Sequence, residues 1–271
     1  MAERDMLAPF PDSWATTRKA LHGYLLALAA VPRAHAEPHP HWWHVGLEVQ
    51  ASGLVTTPVM LPGGASLVLG MDPGRHTAWS ETSDGQRHEF PLDGGATASE
   101  FGTEVLAETV SLGLADTFDR DRFASDDAPA YDRAAAEWFS ATSRSIHTVF
   151  DRHRATLDRD PGPILIWPHG FDMSFEWFGS KVVLGETGST AAAQLNLGFY
   201  PGEEPYFYSN PWPFDDRLVD TPLPAGAAWH TEGWKGTILP YDSLVADEDW
   251  AARLLEYAAA VHRIARPTLM A

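Results

Sequence analysis

A chain of 271 residues with 37 Asp and Glu against 19 Lys and Arg carries a formal charge of −18, which repels nucleic-acid backbones and anionic lipid surfaces. Its expected partner is therefore a neutral or cationic small molecule, with no nucleic acid and no membrane. It has no cysteine, so disulfides, thiolate metal sites, iron–sulfur clusters and cysteine nucleophiles are excluded, while 44% hydrophobic content and 11 tryptophans leave room for a substantial core.

Residues 1–11 read as a polar lead-in. Asp12 or Ser13 is placed to cap a helix in which Trp14, Leu21, Tyr24, Leu25, Leu28 and Val31 recur at helical spacing until Pro32. His22 stands beside that stripe. The apolar run from Leu25 to Val31, behind Arg18 and Lys19 and ahead of Ala34-His35-Ala36, mimics a signal peptide. The basic pair follows a long acidic-containing start and Pro32-Arg33 interrupts the approach to the cleavage-like triplet, so the expectation is a helix of a cytoplasmic protein. No apolar run approaches the ~18 residues of a membrane span.

Residues 39–49 hold the densest chemistry: His39, His41, Trp42, Trp43, His44 and Glu48 where a loop turns into a strand. Val45, Leu47, Val49 and Ala51 alternate with Gly46, Glu48 and Gln50, the period of a half-buried strand. Trp42, His44, Glu48 and Gln50 would then share a face, with His44 and Glu48 roughly 13 Å apart on one cleft wall at a rise of ~3.3 Å per residue. Short histidine spacings are one way to bind a metal; the other reading packs the tryptophans as core and rim and bonds the histidines to the backbone. The expectation is no cofactor and no metal. Should an ion bind, His41 and His44 are its ligands, completed from Asp172, His169 or Glu204.

Turn signals at Ser52-Gly53, Pro62-Gly63-Gly64, Asp72-Pro73-Gly74 and Asp84-Gly85 separate strand-length segments at 54–61, 66–71, 77–82 and 87–92, an antiparallel meander. A helix follows over 99–114, then an Asp- and Arg-rich stretch that reads as an exposed linker. The longest helical pattern, 131–157, turns Trp138, Phe139, Ile146, Val149 and Phe150 inward and leaves His147 and His153 among charges, as solvated residues. After a Pro/Gly break the chain alternates from Phe171, with Asp172, Ser174 and Glu176 on one face and Met173, Phe175 and Trp177 on the other. By parity His169 joins the apolar face, unless Pro168 and Gly170 bend the backbone. Strands over 194–200 and 229–239, the aromatic run Tyr206-Phe207-Tyr208 and a closing helix over 247–264 complete the chain.

The expected class is α+β: antiparallel sheets flanked by helices, in helix–strands–helix halves at 1–115 and 131–271 joined by 116–130, able to form one compact unit. Residues 43–48 and 167–172 match loosely, through duplication or coincidence.

Six motifs run nearly the length of the chain: T-R-x-x-L-H at 17–22, H-W-W-H-V at 41–45, F-D at 171–172 followed by Phe178-Gly179-Ser180-Lys181, F-Y-P-G at 199–202, E-P-Y-F-Y at 204–208 and I-L-P-Y at 238–241. With these the chain resembles a bacterial family known only as a domain of unknown function. It departs from that pattern at Leu165, where the family carries a histidine. The resemblance implies that the signal-like run is the first helix, and it implies no reaction.

No G-x-S-x-G elbow, Walker loop or dinucleotide fingerprint is present. The expected function is a small-molecule enzyme using acid–base chemistry from His41, His44, Glu48, Asp172 and Glu204 in an aromatic-lined cleft, with His22, Trp42, Trp43, Trp167, His169, Tyr206 and Tyr208 binding substrate. The alternatives are a non-catalytic receptor for a sugar-like or cationic ligand, and a His/carboxylate metal-dependent hydrolase or isomerase.

Overall fold

The computed structural model describes residues 6–184 and 188–271. Four α-helices and twelve strands are found among them, and the chain divides into two compact units, one made of residues 10–144 and 165–171, the other of 145–164 and 172–271 with residues 6–9. The class is α+β, as the alternating and helical periods predict.

In the first unit α1 (Trp14–His35) runs three residues beyond Pro32, whose carbonyl still accepts from the Ala36 amide at 2.9 Å. Proline in a last turn forfeits only one helical hydrogen bond. The signal-like run is core here: Leu25, Ala27, Leu28, Ala29, Ala30 and Val31 are all buried. The meander follows as β1 (Leu47–Gln50), β2 (Gly53–Thr56), β3 (Val59–Met60), β4 (Ser66–Asp72), β5 (Thr77–Thr82) and β6 (Arg87–Pro91). Helix α2 (Ala98–Ser111) opens on a capping box in which Thr97 and Glu100 satisfy each other's backbone amides. Helix α3 (Arg133–Arg154) begins in this unit and its last turns belong to the second. After it β7 (Leu165–Ile166) returns to pair with β1, giving the antiparallel order β7-β1-β2-β4-β5-β6 with β3 on β4.

Aromatic packing closes this core. The rings of Trp14, Phe139 and Phe171 stack in sequence with centroids 5.0 Å apart at each step, and Tyr24 meets Phe101 at 4.5 Å. The stretch read as an exposed linker differs from that expectation: it carries a 3-10 turn at Arg120–Phe123 and buries Phe118 and Phe123. Its charged residues face solvent while two aromatics anchor it.

The second unit is a five-stranded antiparallel sheet, in the order β11-β12-β10-β9-β8, with α4 (Trp250–Leu269) on one face. Its strands are β8 (Met173–Leu184), β9 (Thr190–Tyr200), β10 (Tyr206–Trp212), β11 (Ala228–His230) and β12 (Gly236–Pro240). Trp177, Ala193 and Leu195 pack with Ala265 and Leu269 of α4, while Phe150 meets Phe175 and Phe207. His153, expected among charges in solvent, is buried beside Phe175 and His262, because it continues the inward stripe of Ile146, Val149 and Phe150. No helix among the described residues is long and apolar enough to cross a membrane.

Candidate functional site

Because side chains alternate along a strand, the apolar residues packed under α4 leave a second set on the opposite face of β8, β9 and β10. Register arranges that set in rows. One runs Ser174, Gly198, Tyr208; the next runs Glu176, Asn196, Asn210; beyond lies Phe178, Gln194, Trp212. Tyr200 pairs with Tyr206 at the near end, where Asp172 leads into β8. The face is polar and aromatic, and no Lys or Arg falls in these rows.

Gly198 makes the first interaction possible. The ring of Tyr208 lies flat across it and reaches the neighbouring strand, where its hydroxyl donates to Asp172 Oδ2. Ser174 in turn donates to the phenol oxygen. The result is a donor chain, Ser174 to Tyr208 to Asp172, with Ser174 and Asp172 both buried. Burial, and then the Asp172 charge, push the Tyr208 phenol well above its ordinary range, so it stays protonated and remains a donor. Tyr206 is raised too, by burial first and then by Tyr200 and Asp172.

The second interaction is an absence. Asn196 and Asn210 sit opposite each other on β9 and β10, and the Oδ1 atoms of both are buried with no hydrogen-bond partner among the described residues. The ring of Trp234 covers Gly236 next to Asn210, 6.2 Å from the Tyr208 ring and 4.5 Å from that of His230. Buried polar atoms are nearly always paired in folded proteins, so two orphans side by side call for an explanation.

The other expected residues fall elsewhere. Glu204 is exposed in the turn between β9 and β10. In the first unit, His39 to His44 do not enter a strand: Trp42 adopts a left-handed backbone (φ 60°) and residues Trp43–Val45 form a 3-10 turn, so β1 begins only at Leu47. This removes the shared face expected for His44 and Glu48. His44 is buried, its Nδ1 accepting from the His39 amide at 3.1 Å, whereas Glu48 is exposed and takes a hydrogen bond from Gln50. With Nδ1 accepting, His44 is the neutral Nε2–H tautomer, and burial, Arg33 and His39 all hold its pKa below the usual value. His41 is exposed, its pKa lowered by desolvation and by His39. His39 stacks on Trp43 at 4.2 Å, Trp42 on His44 at 5.6 Å, and Trp43 packs against the buried cluster of Val45, Leu165 and Trp167. This arrangement matches histidines bonded to backbone among packing tryptophans.

His169 does not join the apolar face; it is exposed, because Pro168 and Gly170 fold residues 167–171 into a turn. His22 bonds that turn, its Nε2 at 2.6 Å from the Pro168 carbonyl, and Arg18 donates to the Gly170 carbonyl at 3.0 Å. His22 also borders a cleft of about 450 Å³ between α1 and residues 121–130, across which Lys19 and Asp127 pair at 2.5 Å. No group of three or more His, Asp or Glu side chains among the described residues is placed to hold a metal ion.

Residues 10–268 match the model of a family described as being of unknown function, DUF5996. The chain belongs to that family. No curated protein and no solved structure matches it. Within this DUF5996 chain, reading the sequence selected Asp172, Tyr206 and Tyr208 of the polar sheet face but missed Ser174, Glu176, Asn196, Asn210 and Trp234 as site residues. Alternation over 194–200 was the available signal, Leu195, Leu197 and Phe199 interleaving with Gln194, Asn196, Gly198 and Tyr200; over 206–212 it is weaker, since Ser209 and Pro211 follow Phe207 on the inner face.

Proposed function

We propose that this chain performs acid–base chemistry on a small neutral or cationic molecule at the polar face of the second unit's sheet, with Asp172 exchanging the proton and Tyr208 as its positioning residue. The observation that carries this reading is the buried donor chain from Ser174 through Tyr208 to Asp172. A phenol held far above its ordinary range is a fixed donor, which leaves the carboxylate as the group that can exchange protons. Tyr200, Tyr206 and Trp234 supply the aromatic wall, and the −18 charge favours cations over anions. The reaction is of lyase, isomerase or hydrolase type and the compartment is the cytoplasm. A second reading, a non-catalytic receptor on the same face, is favoured by the orphaned Asn196 and Asn210 oxygens, which ask for a ligand rather than a reaction.

The test incubates wild type, D172N and Y208F in D2O with a panel of small amines, amino alcohols and sugars, following deuterium incorporation and products by proton NMR. A compound turned over by wild type should slow about 10²- to 10⁴-fold in D172N. Loss of the phenol donor makes a carboxylate bind protons more readily, so the acid limb of kcat/KM should move to higher pH in Y208F. Turnover that survives D172N intact sinks the assignment. Binding by wild type without turnover favours the receptor.

A further inference from the structure

We propose that Asn196, Asn210, Glu176 and Trp234 form a subsite for a primary ammonium group. It rests on the reading above in taking this face as the ligand's, but not on any chemistry at Asp172. Three features converge. First, two carboxamide oxygens on adjacent strands are buried and unpartnered among the described residues, although replacing either residue with a hydrocarbon of similar size would leave no orphan. Polar atoms that a fold leaves unsatisfied are concentrated where a ligand completes them.

Second, the row they occupy presents acceptors. Glu176 stands beside Asn196 on β8, and on the other side Gly236 lies next to Asn210, a Cβ there falling 3.0 Å from the Asn210 Cβ. An ammonium has three donors and no acceptor. Two unpartnered amide oxygens are acceptors for it, and the Glu176 carboxylate on the adjoining strand adds an acidic group to the row.

Third, an indole stands over Gly236 at the end of the row, edge-on to the Tyr208 ring at 6.2 Å. A Cβ on Gly236 would come within 2.5 Å of Trp234 Cζ3, so the indole occupies the space above that glycine, steadied by His230 at 4.5 Å between ring centroids. A cation seated on the carboxamides is thereby offered the indole as a further attraction, worth more as the site is desolvated. A neutral polyol shares the donors but gains nothing from Glu176's charge or the indole quadrupole.

The experiment titrates the full chain with n-butylammonium chloride, with n-butanol and glucose as uncharged comparators, reading heat and the side-chain amide ¹⁵N–H signals of Asn196 and Asn210. Wild type should bind the ammonium at least about tenfold more tightly than either comparator, about one factor of ten being the smallest margin that identifies charge recognition. The N196L/N210L double variant should lose that binding while its Tm holds or rises, because apolar groups replace orphaned oxygens. N210D, which keeps an acceptor and adds charge, should retain binding. Equal affinity for glucose or n-butanol, wild-type ammonium binding by N196L/N210L, or a double variant that unfolds more easily than wild type each overturns the subsite; so does loss of binding in N210D. Should no ammonium bind while a panel compound still shows D172N-sensitive turnover, the subsite fails and the catalytic reading stands. The converse result, ammonium binding lost in N196L/N210L with no D172N-sensitive turnover of any compound, keeps the subsite and removes the catalysis.

Discussion

The phenol ring of Tyr208 occupies the space that a side chain on Gly198 would need: a Cβ at that glycine would lie 2.3 Å from Tyr208 Cζ and 2.6 Å from its hydroxyl oxygen. A strand-interior glycine is usually a weakness, but here it is the floor over which one strand's side chain reaches the strand beyond. Gly198→Ala should therefore tilt the ring off its seat, break the hydrogen bond to Asp172 and destabilise the second unit by about 1–3 kcal/mol, the usual cost of an extra methyl in a filled space. Denaturant unfolding measures the cost, and the Tyr208 ring resonances report the displacement. An alanine variant with wild-type stability and unshifted ring signals would show that the ring does not depend on the glycine.

His22 was a substrate-binding candidate by its place beside the stripe of the first helix, yet its ring nitrogen bonds the Pro168 carbonyl at 2.6 Å and its ring meets Phe171 at 5.5 Å. Phe171 is buried in a left-handed backbone conformation (φ 61°), so the 167–171 turn holds a strained residue that its contacts must keep in place. His22→Ala should lower the stability of the first unit by about 1–2 kcal/mol, a hydrogen bond and some packing. Urea unfolding is the check. Unchanged stability together with weakened ligand binding would return His22 to the ligand's side.

Acid should loosen the second unit through His153. Burial first, and then neighbouring His262, lower its pKa from 6.5 to about 4. His262 is lowered as well, chiefly by burial, with Asp158 opposing and Arg266 assisting. The folded chain thus keeps a neutral imidazole where the unfolded chain would already be protonated. Its contribution is complete above the unfolded value near 6.5, and is lost as pH falls from there toward 4, in total about 3 kcal/mol for one such group. His153→Gln should flatten stability over that window relative to wild type, as read from unfolding midpoints at a series of pH values. A wild-type slope retained in the glutamine variant would assign the loss to other groups.

Three strands of the meander were legible almost residue by residue: those expected at 66–71, 77–82 and 87–92 run Ser66–Asp72, Thr77–Thr82 and Arg87–Pro91, because paired turn residues bracket each one, whereas the segment expected at 54–61 breaks at Thr57-Pro58 into Gly53–Thr56 and Val59–Met60. The turn at Trp42 was not, since Val45, Leu47 and Val49 continue a period of two straight through a 3-10 turn and no residue type announces a tryptophan with positive φ. His153 was misplaced because Arg152 and Arg154 flank it, although its spacing from Ile146 and Phe150 put it on the buried stripe. The polar face of β8 could be read by parity from Asp172, Ser174 and Glu176. That Asn196 meets Asn210, and that Trp234 closes over Gly236, depends on pairing register between strands joined by turns of unknown shape, which composition does not carry.

The first unit has a gap in its own sequence, residues 145–164, before the short segment that finishes it. A ribosome that has delivered α1, the meander, α2 and the start of α3 has still not produced the β7 residues that pair with Leu47 and Glu48, nor the Phe171 ring that completes the stack on Phe139. Until then the outer edge of β1 is an open hydrogen-bonding edge and an aromatic seat stands vacant. Synthesis thus imposes a waiting time on this half of the molecule, during which chaperones or aggregation compete for its surface, and any translational pause before residue 171 prolongs that exposure.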